Sequence, residues 1–156
     1  MRKLIGHIGV DSGQVLICDP CYIDSQWKKE DFNIPRRYRH NDGTILQYEV
    51  DFPHYEAIIP KYGKTMNQIN ADHEAVELPD EEPPKFPFSY NACCKKTCNN
   101  NETDGQLNFE SGHSGVGVVS SSGWGDGYYP VYAEIGRDGR VKRIMVDFTE
   151  DDDDEN

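Results

Sequence analysis

Residues 120–130 read SSSGWGDGYYP: hydroxyls, an indole, a carboxylate and two phenols on a run punctuated by Gly123, Gly125 and Gly127. Alternate glycines admit positive φ and let the backbone come close to a neighbour or a ligand. Trp124 offers a stacking face, Asp126 an acceptor for hydroxyls, amides or a cation, and Ser121 and Ser122 supply donors upstream. That set fits the rim of a small-molecule site, where aromatic faces and convergent polar groups recognise a base or sugar. It also fits a tight β-connection in which Asp126 bonds local backbone and Tyr129 enters the core. No Gly-Lys-Ser/Thr follows, so the run is not a phosphate-binding P-loop.

A second cluster, Cys18-Asp19-Pro20-Cys21-Tyr22, has the C-x-x-C spacing of redox and zinc sites. A redox pair needs a helix N-terminus after its first thiol, and here the motif ends an apolar strand. Zinc would need two more ligands, which Cys93, Cys94, Cys98 or His113 would have to supply. The favoured role is structural: Pro20 ends a strand ladder and Asp19 accepts local amides. His113, between Gly112 and Ser114-Gly115, has the character of a general base or metal ligand. A hydrolase would pair it with Asp19 or Asp126, yet no nucleophile elbow or H-E-x-x-H is present. No catalytic residue, metal or cofactor is therefore assigned. Arg36, Arg37 and Arg39 form the one dense basic cluster, suited to a phosphate or an acidic protein patch, or simply facing water.

These residues must be positioned by strands. KLIGHIGV and QVLIC flank Asp11-Ser12-Gly13 and read as a hairpin. Asp24 is placed to cap a short helix over 25–30. The segment 35–40 is basic and exposed in character; TILQYEVDF alternates like a strand. Residues 60–87, rich in proline and acids, read as a long surface excursion with a helical turn or two between Thr65 and Val76. FPFSYNACC returns to β character, QLNFE and HSGVGVVS are strands, and Asp138-Gly139 makes a hairpin between YYPVYAEI and RVKRIMVDF. The last third then reads as a three-strand meander. The expected fold is mainly β, a single-domain antiparallel sandwich or open barrel over 1–149, with one or two short helices.

The 156 residues suffice for one core without metal or disulfide staples, and the odd set of five cysteines reads as free thiols in a reducing cytoplasm. Formal charge is −12, concentrated in Glu150 to Glu155, a like-charged run expected to be a disordered tail over 150–156. Such a body lacks the positive field that grips a phosphate backbone, so polymeric nucleic acid is not an expected partner. No apolar run reaches membrane-spanning length, and MRKLIGHIGV lacks the features of a signal peptide.

GHIGVDSGQVLICDPCYI, FSYNACC and GQLNFESGHSGVGVVSSSGWGDGYYPVYAEIGRDGRVKRIMVDF together resemble a family of small uncharacterised proteins found in tailed phages and scattered bacteria. Its pattern combines I-x-D-P-C-Y with G-W/Y-G-D-G-x-Y-P-V-Y, and Cys18 departs from it. The resemblance covers about half of the chain and implies no activity. The expectation is a non-catalytic phage-type accessory protein in the host cytoplasm that binds a host protein or a small nucleotide-like ligand, such as a defence signal. The alternatives are a small hydrolase of a phosphoester-like substrate, and a virion or accessory structural protein that forms a homo-oligomer. The candidate ligand set is Asp19, Tyr22, His113, Ser121, Ser122, Trp124, Asp126 and Tyr129, gathered where the first hairpin's exit meets the tryptophan-bearing bend.

Overall fold

The computed structural model describes residues 1–33, 35–98 and 102–149; the acidic run expected to form a tail lies outside them. In chain order the elements are β1 (Arg2–Val10), β2 (Gln14–Cys18), α1 (Cys21–Ser25), β3 (Arg37–His40), β4 (Ile45–Gln47), β5 (Ile58–Ile59) and β6 (Lys64–Thr65). There follow α2 (Met66–Ala71), β7 (Ala75–Glu77), α3 (Tyr90–Thr97), β8 (Asp104–Asn108), β9 (Ser114–Ser121), β10 (Gly127–Ile135) and β11 (Val141–Val146). The fold is mainly β as expected, with three short helices among the described residues. Among the described residues the sheets run β1-β10-β11, β2-β9-β8 and β4-β3-β7, with a β5-β6 pair, all antiparallel, and no barrel closes.

Two expected connections are corrected. β1 and β2 do not pair with each other: β1 lies on β10 and β2 on β9. The turn between them spends its polar groups elsewhere, because Gly13 N–H donates to Asp126 Oδ1 at 2.9 Å and Gly13 O accepts Ser122 N–H at 2.9 Å. A hairpin would have paired the two strands directly. For the same reason β9 and β10 part company, and the expected meander is a β10–β11 hairpin completed by β1. The result is a corner, in which two ribbons bend from one sheet into the next side by side. Pairing stops at Gln14↔Ser121 and resumes at Val10↔Gly127. Residues 122–126 thus face the shorter 11–13, and the excess must bulge outward.

The interior has two centres. Phe88, Ala92, Cys93, Leu107, Val116 and Val119 pack α3 against the β8–β9 face, with Tyr22, Trp27 and Phe109 at its margin. Tyr38, Leu46, Phe52, Ile59, Met66 and Ile69 form the other. Residues 60–87 are therefore not simply a surface excursion: α2, opened by a capping box between Thr65 and Gln68, buries Met66 and Ile69 completely. Tyr38 likewise buries the middle of the basic segment, and TILQYEVDF supplies only the short β4 before Glu49 turns the chain at φ 63°.

FPFSYNACC is helical at its end. Ser89 Oγ accepts Ala92 N–H at 3.1 Å and starts α3, so a capping residue overrides the β-preference of the tyrosine and cysteines that follow. α1 begins earlier than expected because Pro20, with its fixed φ, occupies the cap position, and Asp24 falls inside the helix. Glu30, the end of the expected helix, is instead a carboxylate hub. Its Oε1 accepts Lys85 N–H and Asn91 Nδ2, and its Oε2 accepts Phe86 N–H and Ser89 Oγ, at 2.8–3.2 Å. Burial raises its pKa, but those donors overbalance burial and hold it below the ordinary glutamate value.

Candidate functional site

The outer side of the corner carries the two most exposed aromatic rings among the described residues. Trp124 is 71% and Tyr128 73% exposed, and with Asp126, Gly127, Tyr129, Pro130 and Thr149 they line a cleft of about 300 Å³. Beneath the rings the bend is pinned. Ser122 has no exposed surface, and its hydroxyl donates to Gly125 O, which also accepts the Tyr129 hydroxyl at 2.9 Å. Tyr129 is 7% exposed and meets the Phe148 ring edge-on at 5.1 Å. Ser121 Oγ accepts Gly123 N–H at 3.3 Å, and Gly123 and Gly125 take φ of 71° and 91°, which L side chains rarely adopt. Asp126 ties the bend to Gly13 across the corner. Tyr128 is braced by His7, whose ring stacks on it at 4.8 Å and 4°.

The two roles weighed for this run therefore divide by residue. Ser122 and Tyr129 are buried supports, Ser121 and Asp126 bond backbone groups, and Trp124 with Tyr128 stands in solvent. Tyr128 and His7 were not singled out from the sequence. Tyr128 was hidden by its neighbour Tyr129, since only the strand's alternation decides which of the two faces out.

Asp19, Tyr22 and His113 belong to the other end of β2. Cys18 pairs with Gly117, four residues along from the Gln14–Ser121 pair, or about 13 Å at strand rise. The expected single hollow between 19–22 and 121–129 is thus corrected: the β1–β2 turn, not the exit of β2, meets the bend. At the far end Asp19 Oδ1 accepts Cys21 N–H at 2.9 Å, and that bond lowers its pKa. Tyr22 packs edge-on to Phe109 at 5.1 Å, and Phe109 N–H donates to His113 O at 2.8 Å, closing a hairpin loop on which His113 is exposed. Asp19 and His113 share this end without Asp126, so a three-residue catalytic centre is not assembled.

Neither thiol of the C-x-x-C pair is activated. Burial raises the pKa of Cys18, and the hydrogen bond with Asp19 raises that of Cys21, the reverse of what a redox nucleophile needs. Cys93 is pushed up to about 12 by burial. Among the described residues no group of three or more His, Cys, Asp or Glu side chains is arranged to hold a metal ion, and no helix is long and apolar enough to cross a membrane.

Of the arginine cluster, Arg37 and Arg39 line a separate open groove of about 370 Å³ with Leu78, Pro79 and Glu81, and Arg37 approaches Glu82 at 3.8 Å. They sit on the β4-β3-β7 sheet, while the aromatic cleft sits on β10. Arg37 and Arg39 thus line a different cleft from Trp124 and Tyr128.

No curated protein and no solved structure matches the chain. A family model described as "Protein of unknown function (DUF4241)" matches residues 8–146, a span running from β1 through β11 and containing the whole corner. The chain belongs to the DUF4241 family.

Proposed function

We propose that the chain is a non-catalytic binding protein whose ligand is held in the aromatic cleft of the β9–β10 corner. The observation that supports it is the contrast within one bend: Trp124 and Tyr128 stand exposed on a backbone that Ser122, Asp126 and Tyr129 hold in shape. Leaving a large ring in water forgoes about 1.5–3 kcal/mol of burial, and two such rings on a pinned frame form a preorganised rim. The enzyme alternative draws less support, since its Asp19, His113 and Asp126 fall at opposite ends of β2.

In the phage-type setting that the motif resemblance implies, this protein acts in the host cytoplasm as an accessory or counter-defence factor. Its ligand there is a host protein or a small planar molecule. For a nucleotide-like signal, Trp124 suits the base, whereas the cleft lining contains no lysine or arginine to meet a phosphate. The chemistry favours a neutral or cationic occupant over a polyanion.

Isothermal titration against a panel of nucleosides, nucleotides and cyclic nucleotides, repeated with Trp124→Ala, tests the small-ligand form. Saturable heat that disappears in the variant supports it, with nucleosides binding at least as well as their phosphates. Heat that survives Trp124→Ala removes the cleft from the account.

A further inference from the structure

We infer that the corner cleft receives a lysine or arginine side chain presented by a basic segment of a partner protein; this rests on the cleft being the binding site. Asp126 is the one charged side chain in its lining. It uses Oδ1 on Gly13 N–H, and among the described residues nothing bonds Oδ2. The faces of Trp124 and Tyr128 carry the negative pole of the ring quadrupole, which attracts a guanidinium or ammonium group. His7 lies against one face of Tyr128, and the ring remains 73% exposed.

The cleft itself holds no basic side chain; the two arginines of this face, Arg2 and Arg143, lie beyond Tyr132, and Arg143 is engaged by Glu134 at 3.1 Å. Arg2 is on the same face of the sheet, by its pairing with Glu134 two positions beyond Tyr132, but is engaged by Asp147 at 3.5 Å and by the Tyr132 ring at 3.9 Å. Thr149, at the cleft's edge, is followed directly in sequence by the six acids Glu150 to Glu155. A chain of net charge −12 draws cations toward this rim over several ångströms.

Two features point to a polypeptide rather than a free small cation. The volume, about 300 Å³, lies at the small end for a ligand pocket and suits one side chain. The exposed surface also continues past the cleft: strand alternation puts Tyr128, Pro130 and Tyr132 on one face, and Leu4 and Met145, 48% and 43% exposed, flank Tyr132 on either side. A segment that sets its basic side chain in the cleft and apolar residues over Leu4, Tyr132 and Met145 would cover cleft and flank together.

The test is fluorescence anisotropy of a short labelled peptide of alternating arginine and leucine, beside its arginine-to-glutamine counterpart, on the full chain at low and moderate salt. Expected is saturable binding of the arginine peptide alone, weakened by salt. Trp124→Ala weakens it at least about fivefold. Asp126→Asn weakens it as well while keeping an acceptor for Gly13 N–H. An unchanged affinity in Trp124→Ala assigns the attraction to the acidic run alone and overturns the inference, as does equal binding of the glutamine peptide or none of either. If the peptide fails while a nucleoside still gives heat that Trp124→Ala abolishes, the cleft remains the site and only the cationic occupant falls.

Discussion

The two ends of β2 use nearly the same residue types and do different things with them. At one end Asp19 and Tyr22 follow the strand, with the Gly112-His113 turn beside them; at the other, Asp126 bonds Gly13 N–H and shares a cleft with Trp124 and Tyr128. Both aspartates accept a backbone N–H at 2.9 Å. What differs is where the rings go. Tyr22 turns inward onto Phe109 at the margin of a core, whereas Trp124 and Tyr128 turn outward around a cleft. Residue chemistry alone does not make a site; the surplus length of 122–126 over 11–13 carries Trp124 into water, and strand alternation turns Tyr128 out beside it.

Substitutions at the two ends should separate stability from binding. The largest effect is expected at Glu30, which organises residues 85–91 beside the core that backs Tyr22. Glu30→Ala leaves four donors without their acceptor and should cost about 3 kcal/mol or more in denaturant unfolding, with ligand affinity unchanged in the surviving folded fraction. Because the folded pKa of Glu30 is lowered, its stabilisation is complete above the ordinary glutamate value and is lost as pH falls through the folded value. The Tm gap between the protein and Glu30→Gln should therefore close on acidification; a gap that widens below pH ~4 contradicts the hub.

Tyr22→Ala comes next, at about 2 kcal/mol for a half-buried ring, again without effect on binding. Ser122→Ala removes a buried hydroxyl bond and should cost about 1 kcal/mol, and it should also weaken binding by loosening the frame under Trp124. Trp124→Ala is expected to change stability by less than about 0.5 kcal/mol while abolishing ligand binding. A large Tm loss there would mean that the indole packs rather than presents itself, and the contrast between the two ends would dissolve.

Much of the sheet content was legible from local pattern. The β10–β11 hairpin follows from Asp138-Gly139, where Gly139 takes φ 78°, and β8 and β9 follow from their apolar runs. The helical turn within 65–76 is α2. Pairing was not legible, because a three-residue turn between two apolar strands looks the same whether they pair or diverge into separate sheets. The Asp126 carboxylate and the Ser122 N–H that claimed the Gly13 turn's polar groups come from more than a hundred residues away. α3 was masked for a different reason: tyrosine and cysteine score as strand formers, and the deciding contact is the single hydroxyl of Ser89.

For the candidate site, the composition of the bend was readable and its membership was not. Trp124 and Asp126 are in the cleft, while Asp19, Tyr22 and His113 need β2 to be bridged end to end and are not. Alternation along β10, not residue type, sends Tyr128 outward and Tyr129 inward.

The chain's two tryptophans stand one at each region, Trp27 against Phe88 in the core and Trp124 on the bend. Fluorine NMR of the 5-fluorotryptophan-labelled protein therefore reads both at once during titration with the arginine peptide and the nucleoside panel. The account predicts a saturable shift of the Trp124 resonance with Trp27 unmoved. A shift confined to Trp27, or a Trp124 resonance that no titrant moves, would contradict it.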